Sequence, residues 1–168
     1  MVEFNTCDFL DDHAEQAIQV LHLNINGAFF RPFGGKSAFC GQIVTVKCFE
    51  DNSRVKELLA TDGTGKVLVV DGGGSFRCAL MGDMIGESAV QNHWQGVIIY
   101  GCVRDVDVLA TQDLGIYALG SIPQKSTRKG VGEVGLDLSI GNVIFRQGDY
   151  VYADNNGIII SATPLRLP

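Results

Sequence analysis

Asp83, Arg104 and Asp105 are the residues of this chain whose types and spacing best suit chemistry. A carboxylate just past a strand end can take a divalent cation, since magnesium commonly binds one or two protein carboxylates and keeps several waters. Asp105 follows an apolar run and fits that description, but it could equally cap the helix expected to start there. A guanidinium beside such a carboxylate can hold an anion and stabilise enolate charge without losing its proton. Arg104 has that position, with an ion pair to Asp83, Asp105 or Asp107 as its plainer role. Asp83 opens the segment Met84-Ile85-Gly86-Glu87, whose amide N–H groups at a helix start, with the positive end of the helix dipole, suit a substrate carboxylate. Gly86 would permit close approach, and the alternative is an ordinary helix turn facing water. Lys125-Ser126-Thr127-Arg128-Lys129-Gly130 is the one dense basic cluster, which by itself reads as a solvated loop, although a diacid of four or more carbons would need a second cationic contact.

These residues need elements to position them. Val67-Leu68-Val69-Val70 ends in Asp71-Gly72-Gly73-Gly74, a helix opens near Gly82-Asp83, and Val97-Ile98-Ile99-Tyr100-Gly101 precedes Cys102-Val103-Arg104-Asp105. Two short apolar runs flanking a helix predict a βαβ unit with parallel strands. Strand carboxyl ends and the first helix turn then share one edge, where open α/β sheets bind ligands. The glycine turn, Asp83, Arg104 and Asp105 are expected to meet there.

Elsewhere, Thr6 is expected to cap a helix through Asp11, with a further helical turn over 14–21 and a loop over 29–35. Ile43–Phe49 predicts a strand, and Asn52 or Ser53 a cap for a helix bearing Val55, Leu58 and Leu59 on one face. Residues 105–112 predict a short helix and 114–119 a strand. Leu138–Ile140, Val143–Phe145, Tyr150–Ala153 and Ile158–Ser161, separated by Gly-Asn, Gln-Gly-Asp and Asn-Asn-Gly turns, predict a β-rich end. No repeat or linker divides the chain, so residues 1–168 read as a single α/β domain.

The net charge of −6, with no basic arm, argues against direct nucleic-acid binding, so an anionic ligand would need a local positive pocket. Five cysteines without C-x-x-C spacing read as buried free thiols in a reducing compartment. With no basic-then-apolar start and no run of membrane length, the expectation is a cytoplasmic protein without membrane contact. Gly130-Val131-Gly132-Glu133-Val134-Gly135 fits a dinucleotide fingerprint, but no strand precedes it and a β-like run follows. Gly63-Thr64-Gly65-Lys66 lacks the first glycine and the final hydroxyl of a phosphate loop.

Asp83, twenty residues, then Arg104-Asp105 resembles the acid-x20-Arg-Asp signature of the 4-hydroxy-4-methyl-2-oxoglutarate aldolases, which share a fold with regulator of ribonuclease activity A. Phe33-Gly34-Gly35, Gly41–Cys48, Gly72–Gly74 and Tyr152–Gly157 are similar to short members of that group. The resemblance implies a swivelling β/β/α domain of stacked sheets and a divalent-metal-dependent aldolase, with Mg²⁺ or Mn²⁺ as cofactor. Such an enzyme releases pyruvate through a metal-stabilised enolate and also decarboxylates oxaloacetate. It further implies Asp105 as metal ligand, Arg104 on the substrate, Asp83 holding metal-bound water, the amides of Met84, Ile85, Gly86 and Glu87 on a pyruvyl carboxylate, and Lys125, with Arg128 as the alternate, as the second cation. Homotrimers with sites between subunits are implied as well, a stacked hexamer being the alternative. A non-catalytic role on an RNA-degrading enzyme is the alternative from a different class. The aldolase signature continues to an acid at position 108, where this chain has Val108; Asp107, Glu133 and the tail acids are the alternative donors, or another subunit.

Overall fold

The structure, a computed structural model, describes residues 3–167. Helix α1 (Thr6–Asp12) leads to four two-residue strands, β1 (Gln19–Val20), β2 (Asn24–Ile25), β3 (Ala28–Phe29) and β4 (Arg31–Pro32). The α/β core follows as β5 (Phe39–Lys47), α2 (Ser53–Leu59), β6 (Lys66–Asp71), β7 (Ala79–Met81), α3 (Asp83–Gln91), β8 (Gly96–Val103), α4 (Val106–Leu109) and β9 (Gly115–Ser121). The end is all β, with β10 (Glu133–Val134), β11 (Leu138–Ile140), β12 (Val143–Phe145), β13 (Tyr150–Ala153) and β14 (Ile158–Ser161).

One mixed sheet runs β1-β14-β13-β5-β6-β8-β9-β4, with β10 added on β5 and β7 on β8. Its centre, β5-β6-β8-β9, is parallel, and both of its faces are covered, as parallel sheets require. Because side chains alternate along a strand, Leu68 and Val70 of β6 face one way and Val67 and Val69 the other. The first pair packs with Val55 and Leu59 of α2 and with Ile85 and Ala89 of α3. The second packs with Leu138, Ile140, Val143 and Phe145 of the β11–β12 hairpin. Helices, main sheet and small β layer thus stack as three layers. Among the described residues no helix is long and apolar enough to cross a membrane.

The βαβ unit and all four tail strands form where the sequence places them. Several local expectations do not hold. Residues 14–21 form turns and then β1, which pairs with the exposed edge of β14; a helix that short has little stability of its own, and the Gln19 side chain is held by both main-chain groups of Ile144. Asn5 rather than Thr6 caps α1, its Oδ1 accepting from the Cys7 amide, because Thr6 is buried against Asp154. Neither Asn52 nor Ser53 caps α2 with its side chain; Asp51 Oδ1 accepts from the Ser53 amide and hydroxyl. The 29–35 segment carries the last residue of β3 and the whole of β4, and of its phenylalanines only Phe29 is exposed, whereas Phe30 is core and Phe33 packs against core. Cys7 is exposed and Cys40 half-buried, while Cys48, Cys78 and Cys102 are buried and free. Burial, with the Asp51 and Asp71 carboxylates nearby, pushes the Cys48 thiol up to about 12, so it stays protonated.

The strand β7, absent from the sequence reading, matters most for function. Strand β8 pairs with β6 only as far as Tyr100; past that point β7 takes over the edge, opposite Cys102 and Val103. The Gly72–Gly74 turn therefore folds back on Tyr100, whose carbonyl accepts from the Gly72 and Gly74 amides. Asp83 reaches the sheet edge from β7 instead.

Candidate active site

A cavity of about 530 Å³ lies at the carboxyl ends of β7, β8 and β9. Main-chain hydrogen bonds lock its walls together. The Arg104 amide donates to the Met81 carbonyl at 2.9 Å, the Ile122 amide to Val103 at 3.0 Å and the Ala79 amide to Gln124 at 2.7 Å. Asp83, Met84, Ile85, Arg104, Asp105, Lys125 and Arg128 all line it; Gly86, Glu87 and the Gly72–Gly74 turn do not.

Asp105 occupies the residue before α4, yet its carboxylate takes no hydrogen bond from that helix. Its backbone is left-handed, φ 54°, a conformation aspartate tolerates better than most residues. One oxygen, Oδ2, accepts from the Asp83 amide at 3.2 Å and lies 3.5 Å from Arg104 Nε. Oδ1 takes no hydrogen bond among the described residues. The helix-cap role is thus overturned by the turn itself, which directs the side chain to Asp83.

Arg104 meets Asp105 and, through Nη1, the Pro123 carbonyl at 3.4 Å, not Asp83 or Asp107. Gly82 makes this packing possible. A Cβ there would sit 2.4 Å from Asp105 Oδ2 and 3.1 Å from Arg104 Cγ, so the requirement is for space, not for an unusual backbone. Behind the site, Gln112 Nε2 donates to the Asp83 carbonyl at 2.9 Å, tying the first turn of α3 to the segment after α4.

The helix start offers less than its sequence promises. The Met84 amide donates to Asp83 Oδ1 at 2.8 Å and the Gly86 amide to the Gly82 carbonyl at 3.0 Å. Gly86 serves the protein's own packing: a Cβ on it would strike Gln112 Oε1 and Leu109. Glu87 is exposed and bonded to Gln91. Of the expected set, Met84 and Ile85 remain at the cavity, Met84 with its side chain in solvent. Sequence reading gave no site role to Asn52, Gln124, Ser126 and Thr127 in the wall; the pair of hydroxyls flanked by cations over 125–128 was the available signal.

Three cations, Arg104, Lys125 and Arg128, surround two carboxylates, which makes this a local positive pocket in a chain of net charge −6. Among the described residues no three His, Cys, Asp or Glu side chains converge on a point. A closed, dehydrated metal centre therefore does not fit. Asp105 with Asp83 beside it does fit a hard cation that keeps most of its water. Neither Asp107 nor Glu133 reaches the wall, and Val108 is exposed, so among the described residues the cavity holds no third acid.

A larger cavity, about 820 Å³, opens at the other end of the sheet beside Phe39, Gln95 and Asp113. Its cation Lys36 already faces Asp113 at 4.0 Å, and burial raises the Cys40 thiol, leaving no activated nucleophile. The strand-end cavity is the better candidate.

A family model described as RraA-like: Aldolase/RraA matches residues 6–160. A protein of Acinetobacter baylyi with the provisional name 4-hydroxy-4-methyl-2-oxoglutarate aldolase is 68% identical over 164 residues, 98% of this chain and 96% of its own. A solved Geobacillus kaustophilus structure described as S-adenosylmethionine: 2-dimethylmenaquinone methyltransferase aligns with TM-score 0.90 at 40% identity, covering 96% of this chain and 97% of that one. The RNA-processing inhibitor RraA of Thermus thermophilis aligns with TM-score 0.90 at 35% identity, covering 98% and 96%.

Proposed function

This chain belongs to the RraA-like family, and we propose that its strand-end cavity is the site of an aldolase acting on 4-hydroxy-2-oxo acids. The names attached to its relatives point to an aldolase, a methyltransferase and an inhibitor, so the chemistry of the cavity has to decide between them. A methyl donor of the S-adenosylmethionine type is itself a sulfonium cation, poorly matched to a wall carrying Arg104, Lys125 and Arg128. A 2-oxo diacid is complementary to that wall. The single observation that carries the reading is Asp105, held in a left-handed turn with one carboxylate oxygen unclaimed beside Arg104.

In this reading Arg104, with Ile85 of the first turn of α3 beside it in the wall, holds the 2-oxo carboxylate end, the Met84 amide being taken by Asp83 Oδ1. Asp83 orients the water that takes the C4 hydroxyl proton. The C3–C4 bond then breaks: C4 becomes a ketone, and its electron pair passes to an enolate over C2 and C3, whose negative oxygen Arg104 stabilises. Protonation at C3 yields pyruvate. Asp105, with Asp83 nearby, would hold a divalent cation, Mg²⁺ or Mn²⁺, which when bound supplies further positive charge for that oxygen. Loss of carbon dioxide from oxaloacetate leaves the same enolate, so a single site serves both reactions.

The test is pyruvate release from 4-hydroxy-4-methyl-2-oxoglutarate and from oxaloacetate. Both are expected with Mg²⁺ and neither after thorough chelation with EDTA. Activity that survives chelation removes the cation, and no activity with any divalent ion favours binding to an RNA-degrading enzyme. Net charge −6, suited to a basic partner, and the likeness to the Thermus protein support that second reading. The missing third acid also supports a site completed by a neighbouring copy in a homotrimer or a stacked hexamer. Light scattering over a dilution series checks this: activity should fall with dissociation, and a fully active monomer contradicts it.

A further inference from the structure

We infer that Asn52 is a positioning residue that aims Arg128 at a second carboxylate of the substrate, making the chain selective for 2-oxo diacids over 2-oxo monoacids. The inference rests on the 2-oxo acid reading of the cavity. Asn52 is only 6% exposed and lies in the cavity wall. Both ends of its amide are committed: Nδ2 donates to the Leu80 carbonyl at 3.2 Å, and Oδ1 accepts from Arg128 Nε at 3.2 Å. A flipped amide would set oxygen against the carbonyl and N–H against the guanidinium, so these partners permit one orientation alone. Its backbone amide donates to the Thr127 carbonyl at 3.2 Å, which fixes it against the same segment that carries Arg128.

The result is an arginine tethered at Nε, with Nη1 and Nη2 free of protein hydrogen bonds among the described residues. Those two nitrogens form a planar fork matched to a carboxylate. Lys125, its neighbour in the wall, has no side-chain hydrogen bond among the described residues and offers only a mobile point charge. Ser126 lies between them, 9% exposed, with its backbone amide bonded to the Ala79 carbonyl at 3.2 Å. Its hydroxyl is buried and has no partner among the described residues. A buried unmatched hydroxyl is unfavourable, and rotation about one bond could give it to an anion held by the fork. A three-carbon acid held at Arg104 uses none of these groups; a diacid does.

Calorimetric binding in the presence of Mg²⁺ tests this with pyruvate and with 2-oxoglutarate, a 2-oxo diacid lacking the 4-hydroxyl that cleavage needs. Wild type should bind 2-oxoglutarate about 10-fold or more tighter than pyruvate. Arg128→Ala and Asn52→Leu should each bring that ratio close to one while leaving pyruvate affinity within about 2-fold. A purely structural loss would weaken both acids together. Should Asn52→Leu fail to fold, Asn52→Ser removes the same two contacts in a smaller, polar side chain. A preference that persists in a folded Asn52 variant overturns the positioning role, and one that persists in Arg128→Ala places the second carboxylate elsewhere. If wild type binds neither acid, the 2-oxo acid reading itself fails, a result separable from either of these.

Discussion

Asp105 and Asp154 both stand just beyond strands of one sheet, and the protein treats them in opposite ways. Asp154, after β13, is 6% exposed and its oxygens accept from the Thr6 amide and hydroxyl at 2.8 Å each, from the Asn156 amide at 2.8 Å and from the Gly157 amide at 3.3 Å. Burial alone would push its carboxyl up, but the bonds from Thr6 and Asn156 outweigh that and hold it below the ordinary value. Asp105, after β8, has a side chain 35% exposed, one amide at 3.2 Å and one guanidinium nitrogen at 3.5 Å. Folding satisfies the first carboxylate and leaves the second under-coordinated. A carboxylate that the chain saturates holds structure together; one kept in a left-handed turn with an open oxygen is available to a ligand.

The sharpest way to break that contrast is to neutralise each in turn. Asp105→Asn should lower pyruvate release by about 10³-fold. Its melting temperature should stay within about 2 °C, because its carboxylate does not cap α4 and an amide oxygen can still accept from the Asp83 amide. Asp154→Asn should do the reverse, costing about 3 kcal/mol, or roughly 10 °C in melting temperature, with activity near wild type at low temperature. Thermal scans and steady-state assays on both variants check this. If Asp105→Asn unfolds the protein at full specific activity, the two carboxylates do not differ in kind.

Arg104→Lys should reduce kcat/KM by about 10²-fold, since lysine keeps the charge and loses the planar fork. Gly82→Ala should impair turnover by about 10-fold with only a modest loss of stability, because its methyl group would displace Asp105 and Arg104 rather than core side chains. An unimpaired Gly82→Ala would show that the site tolerates a shift of the carboxylate.

The smallest effect concerns Asp51, a second saturated carboxylate. Burial raises its pKa, but hydrogen bonds from the Ser53 hydroxyl and amide and from the Lys129 amide bring it down to about 2. A folded pKa below the unfolded one contributes stability that is present above about pH 4 and lost as pH falls towards about 2. Denaturant titrations across that window should show the loss in wild type and a flatter profile in Asp51→Asn.

Much of this contrast was legible in the sequence because it rides on periodicity. The apolar runs at 67–70 and 97–101 announced parallel strands, and Asp105 followed from being the acid at the end of one. What escaped was set by long-range pairing. Strand β7 has three residues and no pattern of its own; it exists because β6 stops at Tyr100's level and leaves the end of β8 unpaired. Asn52 looked like a helix cap because its sequence neighbours say so; its partners, Leu80 and Arg128, lie 28 and 76 residues away. Gly86 read as room for a substrate and proved to be room for Gln112, a difference only packing decides.

The most direct measurement is Mn²⁺ binding, followed by electron paramagnetic resonance, to wild type, Asp105→Asn and Asp154→Asn without substrate. The expected result is one site per chain in wild type and in Asp154→Asn, and none in Asp105→Asn. Equal binding by all three proteins, or none by wild type, would contradict the assignment of Asp105 as the carboxylate held open for a cation.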